Sequence, residues 1–518
     1  MKKLSEKIKR IFKQPNKKSL QTIKKEIGAS FKSTSFKQGS YRGALTVLVI
    51  VILIVANLVV RQLPTKWQSV DLTEEQILEV SNVSKKFLKS MDDSIQMVVV
   101  ADKSSTDTRI KSFIENYADL SDNISVKWID PVVHPSALTK YNVEENTIYI
   151  KDKTTDKSTT VSFSSILSSS YDSSYNTVTT FDGEGQLTSA LNTLTNTTTQ
   201  KVYVTEGHGE GSLPSAISTL FTKANYETDT YNSVLTNTMP TYADLLLIYG
   251  PTTDFTDNEI KNLESYIADG GKVMVVLSSE NPDLPKLSAF LKAYGLSETS
   301  GYIADTERSF QGSSYYLYPQ LSLSGDYATG ITNEMLLIAN TKGFTSVDPS
   351  IDNVTVTNLM TTSSNGYNVT DDEQTQGTYI LAAVADQTAA TDTTDTTSDS
   401  TDSTTSSTTE EAESGKLTVL STTNMVDDTL LSNYPTLENS TLFMNLSNYP
   451  TLENSTLFMN MVSGNFDGTT NLSIEAKTLG SNQNTVVSAG QYSISTIFIL
   501  PGAILIGGFI LWFRRRKV

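Results

Sequence analysis

The chain has 518 residues, a formal net charge of −17, two histidines and no cysteine. Without cysteine it can form no disulfide, no thiolate nucleophile and no cysteine-based zinc site, and two histidines are too few for a His-rich metal site. The sequence also lacks a G-x-x-x-x-G-K-[ST] run, which excludes a Walker-type nucleotide site. We therefore expect no metal, no cofactor and no ATPase activity in this chain.

Two uncharged apolar segments predict membrane spans. Residues 44–60 are long enough to cross a hydrocarbon core of ~30 Å, and residues 494–513 form a second such segment. The head before the first span (1–43) holds thirteen Lys and Arg against two Glu, and the tail after the second (514–518) holds four basic residues. The positive-inside rule places both ends in the cytosol. The sequence predicts a cell-membrane protein with an uncleaved signal anchor and residues 62–493 outside.

The charge is divided unevenly along the chain. Of the net −17, the head contributes +11 and the tail +4, so the remainder carries −32. A surface this acidic excludes nucleic acid and anionic lipid as external ligands and also favours solubility. The basic, amphipathic head is expected to lie on the anionic inner leaflet or to dock on a cytosolic subunit.

The first part of the external region, residues 62–180, is predicted to be an α/β domain. A helix is expected to begin at Asp71–Gln76, where Thr73 can cap it. The elements expected next are strand 95–101, helix 108–120, strand 124–129, helix 137–141 and strand 147–150. This order resembles a thioredoxin-like fold. Asp102–Ser105 stand where a thioredoxin has its cysteine pair, so the domain is interpreted as a scaffold.

Residues 181–480 are predicted to form a second α/β domain, after a polar connection over 152–185. The expected elements are strand 201–205, a helix over 213–224, the apolar run 244–249 as a strand buried on both faces, a helix capped by Thr256 and Glu259, and strand 272–277. Strands alternating with helices in this way predict a largely parallel sheet. A stem over 481–493 then leads to the second span.

Two segments interrupt this second domain. Residues 388–415 are rich in Ser, Thr and acidic residues, with Ala as the only aliphatic type, so they are expected to be a disordered insertion. Residues 431–445 and 446–460 are identical at all fifteen positions, LSNYPTLENSTLFMN. A repeat array needs more units, so this tandem is interpreted as a duplication of coding sequence in which one copy suffices for the fold.

Gly207, His208, Gly209 and Glu210 are the one motif that could carry chemistry. They follow a strand and precede a helix, where open α/β sheets usually bind ligands. Three interpretations stay open: a tight turn that needs glycine, a ligand or partner contact, and catalysis by His208 with Glu210. No nucleophile is evident beside His208, so we name no catalytic, cofactor or metal residue.

The motifs together resemble a known family. GHGE after a strand, the run DLLLIYGPTTDFTDNEIKNLESYIADGGKVMVVL, the upstream IENYADLSDNISVKWIDP, Asn57 in the first span and the closing basic tail are similar to the gliding-motility-type (GldG-like) auxiliary component of ABC transporters. The similarity covers most of residues 36–300, with patches near 417–480 and 494–517. It implies a class I glutamine-amidotransferase-like second domain, whose catalytic cysteine has no counterpart here, and partnership with an ABC ATPase and an ABC-2-type permease.

The leading functional hypothesis is a non-enzymatic, membrane-anchored accessory subunit of an ABC-2-type transporter. Gly502, Ala503 and Gly507 are small residues that could form a packing face against the permease within the second span. The alternative is a stand-alone extracytoplasmic binding or adhesion module that acts on glycan or another envelope ligand. A cryptic hydrolase is the third interpretation.

Overall fold

The computed structural model describes Leu48, Val51 and residues 76–479, apart from 172–176, 197, 237, 243, 333–334, 389–413, 428–452 and 467–468. All but the first two residues belong to one compact unit, Asp71–Val518. Within these ranges, no helix combines the length and the apolar character needed to cross a bilayer. The predicted head, stem and tail lie outside the described residues, as do the two spans except for Leu48 and Val51.

The first part of the described chain is a four-stranded mixed sheet with helices packed on it. Its elements are α1 (Asn82–Ser90), β1 (Ile95–Val100), α2 (Thr108–Ala118), β2 (Ile124–Ile129), α3 (Ser136–Tyr141), β3 (Thr147–Asp152), β4 (Ser158–Ser162), α4 (Phe163–Ile166), β5 (Leu167–Tyr171), β6 (Thr177–Phe181) and α5 (Gly183–Thr195). The strand order is β2-β1-β3-β4, with β1 and β2 parallel and β3 antiparallel to β1 and to β4. The strands and helices expected between residues 95 and 150 are present.

The beginning of this region differs from the sequence prediction. The first helix of the described chain from residue 76 on begins at Asn82, where the Ser81 side chain accepts a hydrogen bond from Ser84 N, while residues 71–75 of the predicted helix start lie outside the described residues. Gln76 has a left-handed backbone with φ 46° and closes a turn, because its carbonyl accepts from Glu79 N. Ile77 and Val80 are buried in the core of the first sheet. Residues 76–79 therefore form a turn, and the predicted cap at Thr73 stays a prediction.

The core of the first sheet extends past residue 180, the boundary expected from the sequence. Phe181 and the apolar face of α5, including Leu187 and Leu191, are buried in the same cluster as the residues of β1. A small second sheet adjoins this core, in which β6 lies between β5 and the strand β23 (Lys477–Leu479). Its strand β23 lies near the other end of the described chain, so the last described residues return to the first.

The second part is built on a ten-stranded sheet. Its elements are β7 (Gln200–Glu206), α6 (Ser215–Lys223), β8 (Tyr226–Asn232), β9 (Leu245–Tyr249), α7 (Asp257–Ala268), β10 (Lys272–Val276), α8 (Pro285–Ala293), β11 (Leu296–Glu298), β12 (Tyr302–Asp305), β13 (Ser309–Phe310), β14 (Ser313–Leu317), β15 (Gln320–Leu321), β16 (Ile338–Ala339), β17 (Phe344–Ser346), β18 (Val354–Thr361), β19 (Gly366–Val369), β20 (Gln374–Gly377), β21 (Ile380–Gln387), β22 (Gly415–Leu420), α9 (Asn454–Ser463) and β23 (Lys477–Leu479), with 3-10 turns at Gly325–Ala328 and Thr423–Val426.

Five neighbouring strands of the large sheet are parallel, in the order β8-β7-β9-β10-β22. The sheet continues from β22 through the antiparallel strands β21, β17 and β11. Its two faces carry separate apolar clusters, one packed on α6 and α9 and the other on α7 and α8. Strand β9 is buried at all five positions because it contributes alternate residues to both clusters.

The two unusual segments of the sequence occupy defined places in this sheet. Gln387 of β21 pairs with Gly415 of β22, so the Ser/Thr-rich insertion connects two antiparallel neighbours. The second copy of the duplication provides most of α9, whose Asn454–Ser463 are largely buried. The first copy, 431–445, lies outside the described residues.

Candidate functional site: the Gly207–Glu210 turn

The Gly207–Glu210 turn lies at the carboxyl end of β7, bonded to the loop that follows β9. The His208 carbonyl accepts hydrogen bonds from Thr252 N (2.9 Å) and Thr253 N (2.8 Å). Gly207 has φ 121° and Gly209 has φ 70°, and a Cβ on Gly209 would overlap the Thr252 hydroxyl. Both glycines are therefore required by the backbone conformation, and Gly209 by the close approach as well. The chain reverses its winding direction between β7 and β9, the usual position of ligands in open α/β sheets.

His208 lies inside the protein. Its side chain is 4% exposed and its ring stacks on Phe255, with centroids 4.0 Å apart and planes at 11°. Nε2 is 3.3 Å from Glu259 Oε2. Nδ1 is 3.5 Å from the Ser233 hydroxyl and 3.8 Å from Glu210 Oε1. The turn thus places an imidazole ring between two carboxylates, shielded from solvent.

Glu259 is the centre of this hydrogen-bond network. It is the N3 residue of α7, and its Oε2 accepts from Thr256 N (2.8 Å) and the Thr256 hydroxyl (2.7 Å) in a capping box. Its Oε1 accepts from the Ser233 hydroxyl at 2.8 Å. Burial alone would raise the pKa of this carboxyl. The hydrogen bonds from Thr256 and Ser233 and the attraction of His208 outweigh burial, so the pKa of Glu259 lies below its usual value.

Glu210 is a buried carboxylate that is only half satisfied by the described residues. Its side chain is 3% exposed, and its Oε2 accepts from the backbone N–H of His208 at 2.6 Å. No group in the described part of the chain donates a hydrogen bond to Oε1, which faces His208 Nδ1. Glu210 therefore stabilises the turn from its buried side, and its carboxylate is not exposed to solvent.

A serine, a histidine and a glutamate meet here, but their arrangement differs from that of a hydrolytic triad. In a triad the serine hydroxyl hydrogen-bonds to the histidine that deprotonates it. Here the Ser233 hydroxyl donates to Glu259, and the His208 ring is closed off by Phe255 and the surrounding turns. Across the described residues, no group of three or more His, Asp and Glu side chains could hold a metal ion. The geometry favours a rigid bracket over a catalytic centre.

A second buried cluster, at the start of α5, was not found from the sequence. Lys223 Nζ lies 2.7 Å from Asp182 Oδ1 and 2.7 Å from the Ile474 carbonyl oxygen, and both charged side chains are at most 10% exposed. Burial raises the pKa of Asp182, although the Lys223 charge opposes this. Glu184 accepts from Ser81 N (2.9 Å) and the Ser84 hydroxyl (2.7 Å). The sequence shows two acidic residues, Asp182 and Glu184, close together. No neighbouring residue in the sequence indicates which groups they bind.

Gly502, Ala503 and Gly507 lie outside the described residues, so their proposed packing face stays a prediction. Gly207, His208, Gly209 and Glu210 do form one site, which also recruits Glu259 and Ser233. The capping-box spacing identified Glu259, but only the parallel sheet brings α7 to the turn after β7.

Comparisons with known proteins bear on the identity of the chain. The comparison with curated proteins finds no match. Among solved structures, the chain is similar to the N-terminal domain of mmIFT52 (TM-score 0.32, 14% identity, 45% of this chain and 90% of that one). It is also similar to a ThuA-like protein from Bacteroides uniformis (0.25, 10%, 53% and 95%) and to the exo-beta-1,4-mannosidase Op5Man5 from an Opitutaceae bacterium (0.23, 12%, 63% and 46%). These TM-scores are too low for any of the three to support a fold assignment.

Family models give a clearer result. Residues 74–169 match a domain of unknown function, DUF7088. Residues 199–461, just over half of the chain, match the family described as an ABC-type uncharacterized transport system, and this match includes the Gly207–Glu210 turn, the parallel strands and α9 up to Met461. The protein therefore belongs to this family and is an auxiliary component of an ABC-type transport system.

Proposed function

We propose that the protein is a non-enzymatic, membrane-anchored subunit of GldG type that works with an ABC ATPase and an ABC-2-type permease. The observation that carries the proposal is the contact between the two ends of the described chain. Lys477 Nζ donates to the carbonyl oxygens of Gln76 (2.9 Å) and Glu79 (3.1 Å). The apolar segment 44–60 ends about fifteen residues before Gln76, and the apolar segment 494–513 begins about fifteen residues after the last described residue. One face of the external region would then hold both tethers to the membrane.

The domain identities belong to the same proposal. Strand order β2-β1-β3-β4, with β3 antiparallel, supports a thioredoxin-like first domain. Five parallel strands with helices on both faces support an amidotransferase-like second domain. Asp102 follows β1 and accepts from Ser104 N at 2.8 Å, in the place of a redox cysteine pair. These folds would serve as binding scaffolds.

The energy for transport would come from the partners. The sequence has no Walker-type site, so ATP hydrolysis must occur on another subunit. An auxiliary protein with spans and a large external region can affect such a system by contact alone. We place residues 62–493 outside and both termini in the cytosol.

Co-purification tests the proposal. The full chain, tagged at one end, is co-expressed with the ATPase and permease of its system and purified from detergent-solubilised membranes. Both subunits should co-purify, and protease added to intact cells should remove the external region while sparing tags on both ends. Loss of either tag would contradict the topology, and failure of either subunit to co-purify would favour a stand-alone binding module.

The end-to-end contact has its own test within the same experiment. Replacing Lys477 with Met removes both donated hydrogen bonds and should make the 76–81 segment more accessible to protease. Lys140→Met is the control, because this lysine lies in α3, far in sequence from the contact. Equal protease sensitivity of the two variants would contradict the role of Lys477.

A further inference from the structure

The turn after β8 presents two apolar side chains to solvent. Val234 is 62% exposed and Leu235 is 83% exposed, the highest value among the large apolar side chains that the structure describes. They follow β8 after one residue, Ser233. They lie beside the Gly207–Glu210 turn, because β7 and β8 are paired in parallel as far as Glu206 and Asn232. We call Val234 and Leu235 the apolar tip.

The apolar tip is held in place by the backbone and by Asn232. The side-chain oxygen of Asn232 accepts from Val234 N and Leu235 N, each at 3.1 Å. Its carbonyl oxygen accepts from Leu235 N (3.2 Å) and Thr236 N (3.0 Å). The turn is therefore ordered before any partner binds, which reduces the entropy lost on association.

The buried hydrogen-bond network around Glu259 reaches the turn that carries the apolar tip. Ser233, between Asn232 and the tip, donates its hydroxyl hydrogen to Glu259, which also contacts His208. A Cβ on Gly207 would lie 2.8 Å from Val234 Cγ2, so a glycine there lets the two turns pack together. The Gly207–Glu210 turn and its acidic partners thus act as a bracket that orients Val234 and Leu235.

The charge around the tip selects the kind of partner. Glu206 is exposed beside it, the buried Glu210 and Glu259 lie beneath it on either side of His208, and neither 206–211 nor 232–239 contains a lysine or arginine. Two apolar side chains with an exposed carboxylate beside them and no lysine or arginine in either turn fit an apolar pocket with a basic rim. The carboxylate of Glu206 would be repelled by an anionic lipid surface.

We propose that the apolar tip docks into an apolar pocket with a basic rim on the external surface of the transporter's membrane subunit. This inference rests on the proposed function, because it takes the partner from the transport system. It assigns the contact to a polypeptide surface and gives the Gly207–Glu210 turn a positioning role. The packing of the second span would be a separate contact with the same subunit.

The test uses the full chain co-expressed with its ATPase and membrane subunit. The double variant Val234→Ser, Leu235→Asp should reduce the co-purified membrane subunit about 30-fold, the loss expected when a central apolar contact is removed. Val132→Ser, Val133→Asp is the matched control, since these valines are 81% and 66% exposed in a loop of the first domain. The control should change recovery less than twofold.

Asn232 provides a second pair of variants that leaves the tip side chains unchanged. Asn232→Ala removes the acceptor that orders the tip and should weaken the complex, whereas Asn232→Asp keeps an acceptor oxygen and should restore it. A photo-crosslinker placed at 235 should react with the membrane subunit. Crosslinking only to a second copy of this chain, or to neither, would overturn the inference.

The outcomes separate this inference from the proposed function. If the unaltered chain fails to recover the membrane subunit, the proposed function is wrong, and the inference falls with it. If the unaltered chain recovers it and the tip variant does so equally well, only the docking model is wrong. Equal losses in the tip variant and the control would also overturn it.

Discussion

Lys477 Nζ donates a hydrogen bond to the Gln76 carbonyl oxygen at 2.9 Å, although the two residues are 401 positions apart in the chain. Beside this contact, Lys477 in β23 pairs with Phe181 in β6, and the carbonyl oxygen of Ile474 accepts from Lys223 at 2.7 Å. The segment 474–479 is thus bonded to β6, to Lys223 at the end of α6 and to the turn at 76–79. Changes at this junction should therefore affect the whole unit.

The buried Asp182–Lys223 pair should be essential for stability. Lys223→Met leaves the Asp182 carboxylate buried without its counter-charge and should lower the free energy of unfolding by ~3–5 kcal/mol. Urea unfolding of the detergent-solubilised chain measures this. The exposed pair Lys286–Asp257 gives the control, because its side chains are 45% and 78% exposed, and Lys286→Met should cost under ~1 kcal/mol. Equal effects of the two substitutions would contradict the prediction.

The same variant should depend on pH in a defined direction. Burial already raises the pKa of Asp182 in the folded protein, and removing the Lys223 charge should raise it further. A carboxyl whose folded-state pKa is raised destabilises the fold above that pKa and ceases to do so when protonated. The loss of unfolding free energy caused by Lys223→Met should therefore become smaller as the pH falls from 7 towards 4. A loss that becomes larger over this range would show that the charge of Asp182 is not its main cause.

Glu259→Gln should also lose its effect on stability as the pH falls, although the pKa shift of this carboxyl is opposite to that of Asp182. The pKa of Glu259 is lowered in the folded protein, so its carboxylate stabilises the fold above its unfolded-state value of about 4.5. That contribution is lost as the pH falls through the lower folded-state pKa. The variant should be ~1 kcal/mol less stable at pH 7, as for other helix caps, and the difference should shrink as the pH falls below the unfolded-state value of about 4.5. A difference that stays unchanged there would mean that packing, and not charge, is responsible.

The duplicated segments allow a comparison within one chain. Phe458 in the second copy is fully buried in α9, so Phe458→Ala should cost ~3–5 kcal/mol. Phe443→Ala, the equivalent change in the first copy, should cost close to nothing. The residues that follow each copy explain why the second copy, and not the first, should form α9. If the first copy formed the helix, Tyr449 and Pro450 would replace Gly464 and Asn465.

Those two replacements do not fit the structure. A Cβ on Gly464 would lie 2.5 Å from the Tyr327 ring, and the Asn465 side chain donates to Met461 O at 2.7 Å. A large loss of stability in Phe443→Ala, or none in Phe458→Ala, would show that the first copy occupies the core. Thermal and urea unfolding of the two full-length variants would decide between these results.

The small residues of the second apolar segment should form a contact with the permease. Ala503→Leu with Gly507→Leu adds bulk at positions four apart, which prevents close approach of another helix. We expect at least a tenfold lower recovery of the permease, with no change in the unfolding of the external region. The double variant Ile504→Leu, Ile506→Leu changes shape without adding volume and serves as the control. Unchanged recovery with both variants would remove this contact from the proposal.

Sequence patterns predicted the elements that depend on neighbours in the chain. Strands β9 and β10 were evident as short apolar runs, and the Thr256–Glu259 spacing identified the start of α7, where both capping hydrogen bonds are present. The sequence did not predict the turn at Gln76, whose neighbours Ile77 and Val80 are buried, ahead of the helix that begins at Asn82. Capping residues act within four positions, whereas that burial depends on distant partners.

The sequence by itself determined the acidic character of the chain between its two apolar segments, the lack of cysteine and of a Walker-type motif, and the alternation of strands and helices, because composition and periodicity are local properties. Only the tertiary structure decided that His208 is enclosed between Glu210 and Glu259, and that Asn232 orders an exposed apolar pair beside it. It also decided that β23 returns to Phe181. The contacts of His208 with Glu259 and of β23 with Phe181, like that of Lys477 with Gln76 401 positions away, contribute free energy only when the fold brings their residues together.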